Sequence, residues 1–299
     1  MSPEKYRNLV LVYLILTAAL SLAYLQWSEG RGNIPEKTFR RLTTYGGNIP
    51  LPSPEKKPAR PLRKKEYSIA LVIDDVGASR EMVYRVATLP REVTPSVLPF
   101  REYSLWATLY LKSKGFDVML HLPMEPQNPE LLERGMLRVN MSRREMEGRL
   151  KEALRQVPFP VGINNHEGSL FTSDPEAMRT FLSLLKGTGL FFLDSWTSGR
   201  STAMGLARKM GIRALRRDVF LDNLQEPSYI KAQWKRLLEV ARRKGFAVGI
   251  AHARWITMET LPELLASLPR EFSLVRVRSL MKATPSGDNR QYLSIRGGR

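Results

Sequence analysis

From Tyr67 to Val277 the chain alternates short, β-rich apolar runs with helical patterns, and this constrains the fold more than any other feature. The strand candidates are YSIALVI (67–73), VTPSVL (93–98), DVMLHL (117–122), VGIN (161–164), LFFLD (190–194), FAVGIA (246–251) and SLVRV (273–277), with a weaker one at IRAL (212–215). Helical patterns fill the gaps near 79–89, 102–114, 142–156, 174–187, 201–210, 228–244 and 257–268. Strand–helix alternation predicts an α/β fold with a parallel sheet. Seven or eight such units in this span fit a (β/α) barrel.

Composition narrows the chemistry. The 299 residues include no cysteine and three histidines. That excludes a disulfide scaffold, a thiolate metal site, a Cys nucleophile and an iron–sulfur cluster. A metal must be held by His, carboxylate and water, so the place of each histidine is informative. The formal charge is +18, of which residues 1–66 carry +7 from 12 basic and 5 acidic side chains. Arg-Arg or Arg-Lys steps at 143–144, 216–217 and 242–243 read as solvated helix faces, or as attraction to an anionic envelope polymer or lipid. No nucleic-acid recognition motif accompanies the charge.

The amino-terminal part reads as accessory sequence. Residues 9–25, LVLVYLILTAALSLAYL, run 17 positions without a charge, with Lys5 and Arg7 before them and Tyr24 and Trp27 at the far end. This length is the lower limit for a spanning helix, so residues 1–27 are predicted to be a membrane anchor rather than a cleaved signal. Basic residues flank both sides; the large domain is expected outside the cytoplasm, in the periplasm or at the cell surface. Residues 28–66 hold Pro35, Pro50, Pro52, Pro54, Pro58 and Pro61 and read as an extended basic linker. The globular domain is predicted over 67–283, with a disordered tail at 284–299.

Within the domain, polar residues gather where predicted strands end. Asp74-Asp75 follows IALVI, His121 closes DVML, Asn164-Asn165-His166-Glu167 follows VGI, Asp194 closes LFFL, and His252 follows FAVGIA. Every histidine therefore sits at the carboxyl end of a predicted parallel strand, the rim on which active sites of such folds are built. A carboxylate and histidines converging there suit zinc or another divalent ion. A water activated by such an ion, with a general base and a general acid, suffices to hydrolyse an amide or ester.

The blocks IALVIDDVG, VMLHLPMEP, VGINNHEGS, LFFLDSWTS and RDVFLDN, spread over about Ile69 to Val277, resemble the divergent polysaccharide deacetylase family, a distant branch of the NodB-type carbohydrate esterases. The resemblance implies a deformed (β/α)7 barrel and metal-dependent removal of acetyl groups from a glycan. It matches Asp74 to the catalytic base, and Asp75 and His121 to metal ligands. Where relatives carry a second metal-binding histidine, this chain has Glu125, a carboxylate that could also ligate. Where they carry an arginine that orients the base, it has NNHEGS, in which His166 would be a substitute ligand or pair with an aspartate. His252 matches the general acid, and Asp194 and Trp196 match an Asp/Trp pair that supports the base or lines the groove.

Asn164, Asn165 and Ser169 would donate to substrate or oxyanion, or close their loop. Trp196 and Trp255 would stack on a sugar or pack. Asp218 and Asp222 bracket the apolar VFL and read as structural. The expected activity is thus hydrolysis of acetyl groups on a cell-envelope polysaccharide, with a divalent ion, zinc by preference. The alternative is a catalytically silent envelope scaffold that binds glycan or protein on the same barrel.

Overall fold

A computed structural model describes residues 67–283; the apolar segment in 1–27, the linker 28–66 and the tail 284–299 lie outside the described residues. The order is β1 (Tyr67–Val76), α1 (Arg80–Ala87), β2 (Thr94–Val97), α2 (Ser104–Ser113), β3 (Met119–Met124), α3 (Arg143–Gln156), β4 (Gly162–Glu167), α4 (Pro175–Leu185), β5 (Phe191–Asp194), α5 (Ala203–Met210), β6 (Ala214–Arg216), β7 (Val219–Phe220), α6 (Pro227–Lys244), β8 (Phe246–His252), α7 (Trp255–Ala266), β9 (Phe272–Leu274) and α8 (Val277–Ala283). Among the described residues no helix is long and apolar enough to cross a membrane.

All strand pairings are parallel, in the order β6-β5-β4-β3-β2-β1-β8-β7, with β9 beside the first residues of β1. Strands β6 and β7 stand at opposite ends of that order, yet only Arg217 and Asp218 separate them in the chain. Three peptide steps reach at most about 11 Å, so the sheet must curl until its ends nearly meet. Among the described residues no ladder joins β6 to β7; Arg217 N–H donates instead to Asp194 O at 3.0 Å and Asp218 N–H to Val248 O at 2.8 Å. The expected seven-unit barrel is met in its parallel α/β alternation and differs in closure, being a curled sheet of nine strands.

The strands of this sheet are buried on both faces. Along β1, Ile69, Leu71 and Ile73 pack under the helices while Ala70 and Val72 fill the interior of the curl. Met119, Phe191, Leu193, Val248 and Ile250 complete that interior. The predicted strand 273–277 stops at Leu274, because Val277 opens α8 and turns inward with Leu280 and Met281 to join the same interior cluster. Val277 N–H lies 3.5 Å from Oγ1 of Thr94, the first residue of β2, so α8 plugs the end where the strands begin. The opposite end is left to polar groups.

Helix starts follow the local chemistry. Ser142 and Glu145 form a reciprocal capping box at α3, and Asp174 accepts from Glu176 and Ala177 N–H groups before Pro175 opens α4.

Candidate active site

Strand parity decides which rim residues meet. The inward alternation of Ala70 and Val72, of Met119, and of Val248 and Ile250 continues to Asp74, His121 and His252 respectively. On β4, Ile163 packs outward, so Asn164 and His166 turn inward. Parity alone would send Asp75 outward. Its φ of +60°, at a register shift between Ile73 and Val76 against β2, swings it back beside Asp74. A non-glycine residue in this region is strained, and such strain is commonly stored at functional sites.

Three atoms converge there. His166 Nδ1 lies 3.2 Å from His121 Nε2 and 3.2 Å from Asp75 Oδ1, and His121 Nε2 lies 3.4 Å from Asp75 Oδ1. Ligand atoms at about 2.0–2.1 Å around a tetrahedral zinc are about 3.3–3.4 Å apart, so the triangle has the size of a metal-ligand face. Asp75 Oδ1 is buried without a hydrogen-bond partner of good geometry, as is His121 Nδ1. Burial opposes ionisation of Asp75, but the His121 and His166 rings outweigh it and hold the carboxyl far below its usual range. Asp75, His121 and His166 could therefore hold a divalent cation through one carboxylate oxygen and two imidazole nitrogens.

Asp74 stands next to this face, its Oδ2 3.6 Å from His121 Nε2. Asn164 Nδ2 donates to both its oxygens, at 2.9 and 3.1 Å. The amide cannot turn over without loss, since Ser96 Oγ donates to Asn164 Oδ1 at 2.5 Å. A neutral amide thus holds both oxygens of Asp74. Asp74 is raised above the ordinary carboxylate value because burial outweighs the charges of His121 and His252 and the Asn164 hydrogen bond.

His252 is the Cα partner of Asp74 across β1 and β8. Its Nδ1 lies 2.8 Å from Asp222 Oδ1, and its backbone N–H donates to Asp222 Oδ2 at 2.8 Å. Thr257 Oγ1 donates to the same Oδ2 at 2.7 Å. Burial lowers His252, yet Asp222 and then Asp74 and Asp75 raise it above its usual value overall. Asp222 is therefore no mere bracket of VFL: it is fully buried and fixes the imidazole. Its signal was the apolar spacing of VFLDN, which brings it to the same rim.

The other predicted site residues make contacts of their own at the rim. Glu125 is outside the metal cluster; its Oε2 accepts from Val139 N–H at 2.8 Å and its backbone N–H donates to Leu137 O, pinning the loop after β3. Asp194 follows outward-facing Phe192 by two residues, and its oxygens accept from Trp196 N–H at 2.8 Å and Ser201 Oγ at 2.7 Å. Asn165 accepts from Ser195 N–H at 2.9 Å and donates to Glu167 O at 2.6 Å. Ser169 Oγ accepts from Gln127 N–H at 2.9 Å. The contacts of Asp194, Asn165 and Ser169 tie rim loops together. Trp196, half-buried with φ +54°, lies under the Arg216 guanidinium at 3.9 Å, and exposed Trp255 lies under Arg85 at 4.1 Å.

The sequence profile of divergent polysaccharide deacetylases matches residues 71–281. The chain belongs to this family. It is 35% identical over 213 residues to the uncharacterized protein YibQ of Escherichia coli, covering 71% of this chain and 67% of that one. It is also 35% identical over 217 residues to an uncharacterized protein of Haemophilus influenzae, covering 73% and 78%. The crystal structure of an uncharacterized protein from Agrobacterium tumefaciens shares the fold at a TM-score of 0.69 and 23% identity, over 72% of this chain and 89% of that one. Asp74, Asp75, His121, His166 and His252 all lie within the matched residues.

Proposed function

We propose that this divergent polysaccharide deacetylase is a metal-dependent hydrolase that removes acetyl groups from a cell-envelope polysaccharide. The observation that carries the reading is the Asp75–His121–His166 face set between a buried carboxylate and a paired imidazole. A bound divalent ion, zinc by the donor set, would polarise the acetyl carbonyl and make water acidic enough to attack at neutral pH.

The residues around that face supply the proton transfers. Asp74, held from both oxygens by Asn164, would take the proton of the attacking water. The Asp222 contact at Nδ1 leaves His252 Nε2 as the nitrogen that would protonate the departing amine or alkoxide. In the metal-free protein burial raises Asp74 and Asp222 raises His252 above their ordinary values; the reaction needs Asp74 ionised and His252 protonated. The 17-residue apolar run at 9–25 supports an anchored protein whose domain faces the envelope.

Acetate release from acetylated glycan fragments by the purified full chain tests the reading. Turnover that needs added divalent metal and is lost in Asp74→Asn supports it. Glycan binding without turnover, unchanged by Asp74→Asn, would make the protein a scaffold.

A further inference from the structure

The two ring nitrogens of His166 face different groups. Nδ1 points to the Asp75–His121 pair, and Nε2 lies 3.7 Å from Glu133 Oε1. Glu133 belongs to the loop between β3 and α3. Its Oε2 accepts from Arg101 Nη2 at 2.5 Å, while Oε1 is buried and has no hydrogen-bond partner. A buried carboxylate oxygen without a donor is costly, so its position calls for a reason.

The loop delivers Glu133 there by construction. Glu125 pins the far side of the loop through Val139 N–H, and Met124 and Leu137 form a parallel bridge. Gly135, two residues on, has φ +95°, and a Cβ on it would stand 2.5 Å from the Phe100 ring, next to Arg101. The loop is thus clamped on both sides of Glu133, and Arg101 fixes which oxygen remains for His166.

We infer that Glu133 is a positioning residue of the metal centre, accepting the Nε2–H of His166 and holding that ring with Nδ1 toward the cation. This rests on the metal reading above. A cation bound at Nδ1 leaves the ring proton on Nε2, the side that faces Glu133. The present 3.7 Å needs a few tenths of an ångström to become a hydrogen bond. Histidine ligands regularly give their second N–H to a carboxylate, and loss of such a partner typically weakens metal binding about 10–100-fold.

The test uses the full chain with Zn²⁺ and Co²⁺ as probes, in wild type, Glu133→Gln and Glu133→Ala. Zinc affinity by chelator competition should fall about 10–100-fold in Glu133→Ala, and less in Glu133→Gln, whose amide oxygen still accepts. In nitrogen-15 spectra of the zinc-loaded wild type, His166 should show a slowly exchanging Nε2–H that Glu133→Ala loses. A merely structural ion pair with Arg101 would lower thermal stability and leave that proton in place. A zinc affinity of Glu133→Ala within threefold of wild type, with the Nε2–H retained, overturns the inference. Should wild type bind neither metal, the metal reading itself fails.

Discussion

Asp222 grips His252 twice, its two oxygens taking the ring Nδ1 and the backbone N–H, each at 2.8 Å. The first contact fixes the tautomer and the second fixes the strand end, so ring position and protonation are set by one buried carboxylate. Asp222→Asn is expected to cost about 2 kcal/mol, as for a hydrogen bond to a charged group. Acetate release should fall about 100-fold with loss of the oriented acid.

The pH dependence of stability in chelator-treated protein gives a second check on this pair. His252 is raised, so its contribution is fully present below its unfolded value of 6.5 and lost as pH rises through the folded value. Asp222 is lowered, burial notwithstanding, because His252 hydrogen-bonds it; its contribution is present above 3.8 and lost as pH falls through the folded value. The wild-type advantage over Asp222→Asn should therefore be largest between 3.8 and 6.5 in urea titrations. An advantage independent of pH contradicts the pairing.

Asn164 should matter to the base more than to substrate. Asn164→Ala frees Asp74 from both hydrogen bonds, and kcat should fall about 10–100-fold with KM within about twofold. Ser96→Ala should give a smaller loss in the same direction, since it removes only the hydroxyl that orients the amide. A change confined to KM would move Asn164 back to substrate contact.

Asp194 provides the contrast. Asp194→Asn should lower the melting temperature, because Trp196 N–H and Ser201 Oγ lose a charged acceptor. Its kcat should stay within about tenfold of wild type, whereas Asp74→Asn should lose at least about 100-fold.

Glu125→Ala should loosen the loop after β3 at a cost of about 1–2 kcal/mol, from the lost Val139 N–H contact. Faster proteolysis within 126–139, with the metal still bound, is the expected signature.

Much of this was legible in the sequence because parallel strands announce themselves as apolar runs and their polar residues fall at one rim. Asp74, His121 and His252 followed from position alone. Asp194 also closes a strand, and the inward or outward parity of a four-residue strand is not legible from the sequence alone. Strand alternation puts Asp75 on the side opposite Asp74, and its turn inward depends on a positive φ that no residue type announces. The resemblance implies a ligand at Glu125; in the structure the loop after β3 folds its carboxylate onto Val139, and the third member of the cluster is His166. Asp222 and Glu133 act through other side chains, and pairings between distant segments are invisible to local pattern.

Metal content of the purified full chain, by mass spectrometry beside folded His166→Ala and Glu125→Ala variants, tests the centre of this account. Near-stoichiometric divalent metal in wild type and Glu125→Ala, and its loss in His166→Ala, is the predicted result. Metal retained by His166→Ala and lost by Glu125→Ala, or a wild type that takes up none, would contradict it.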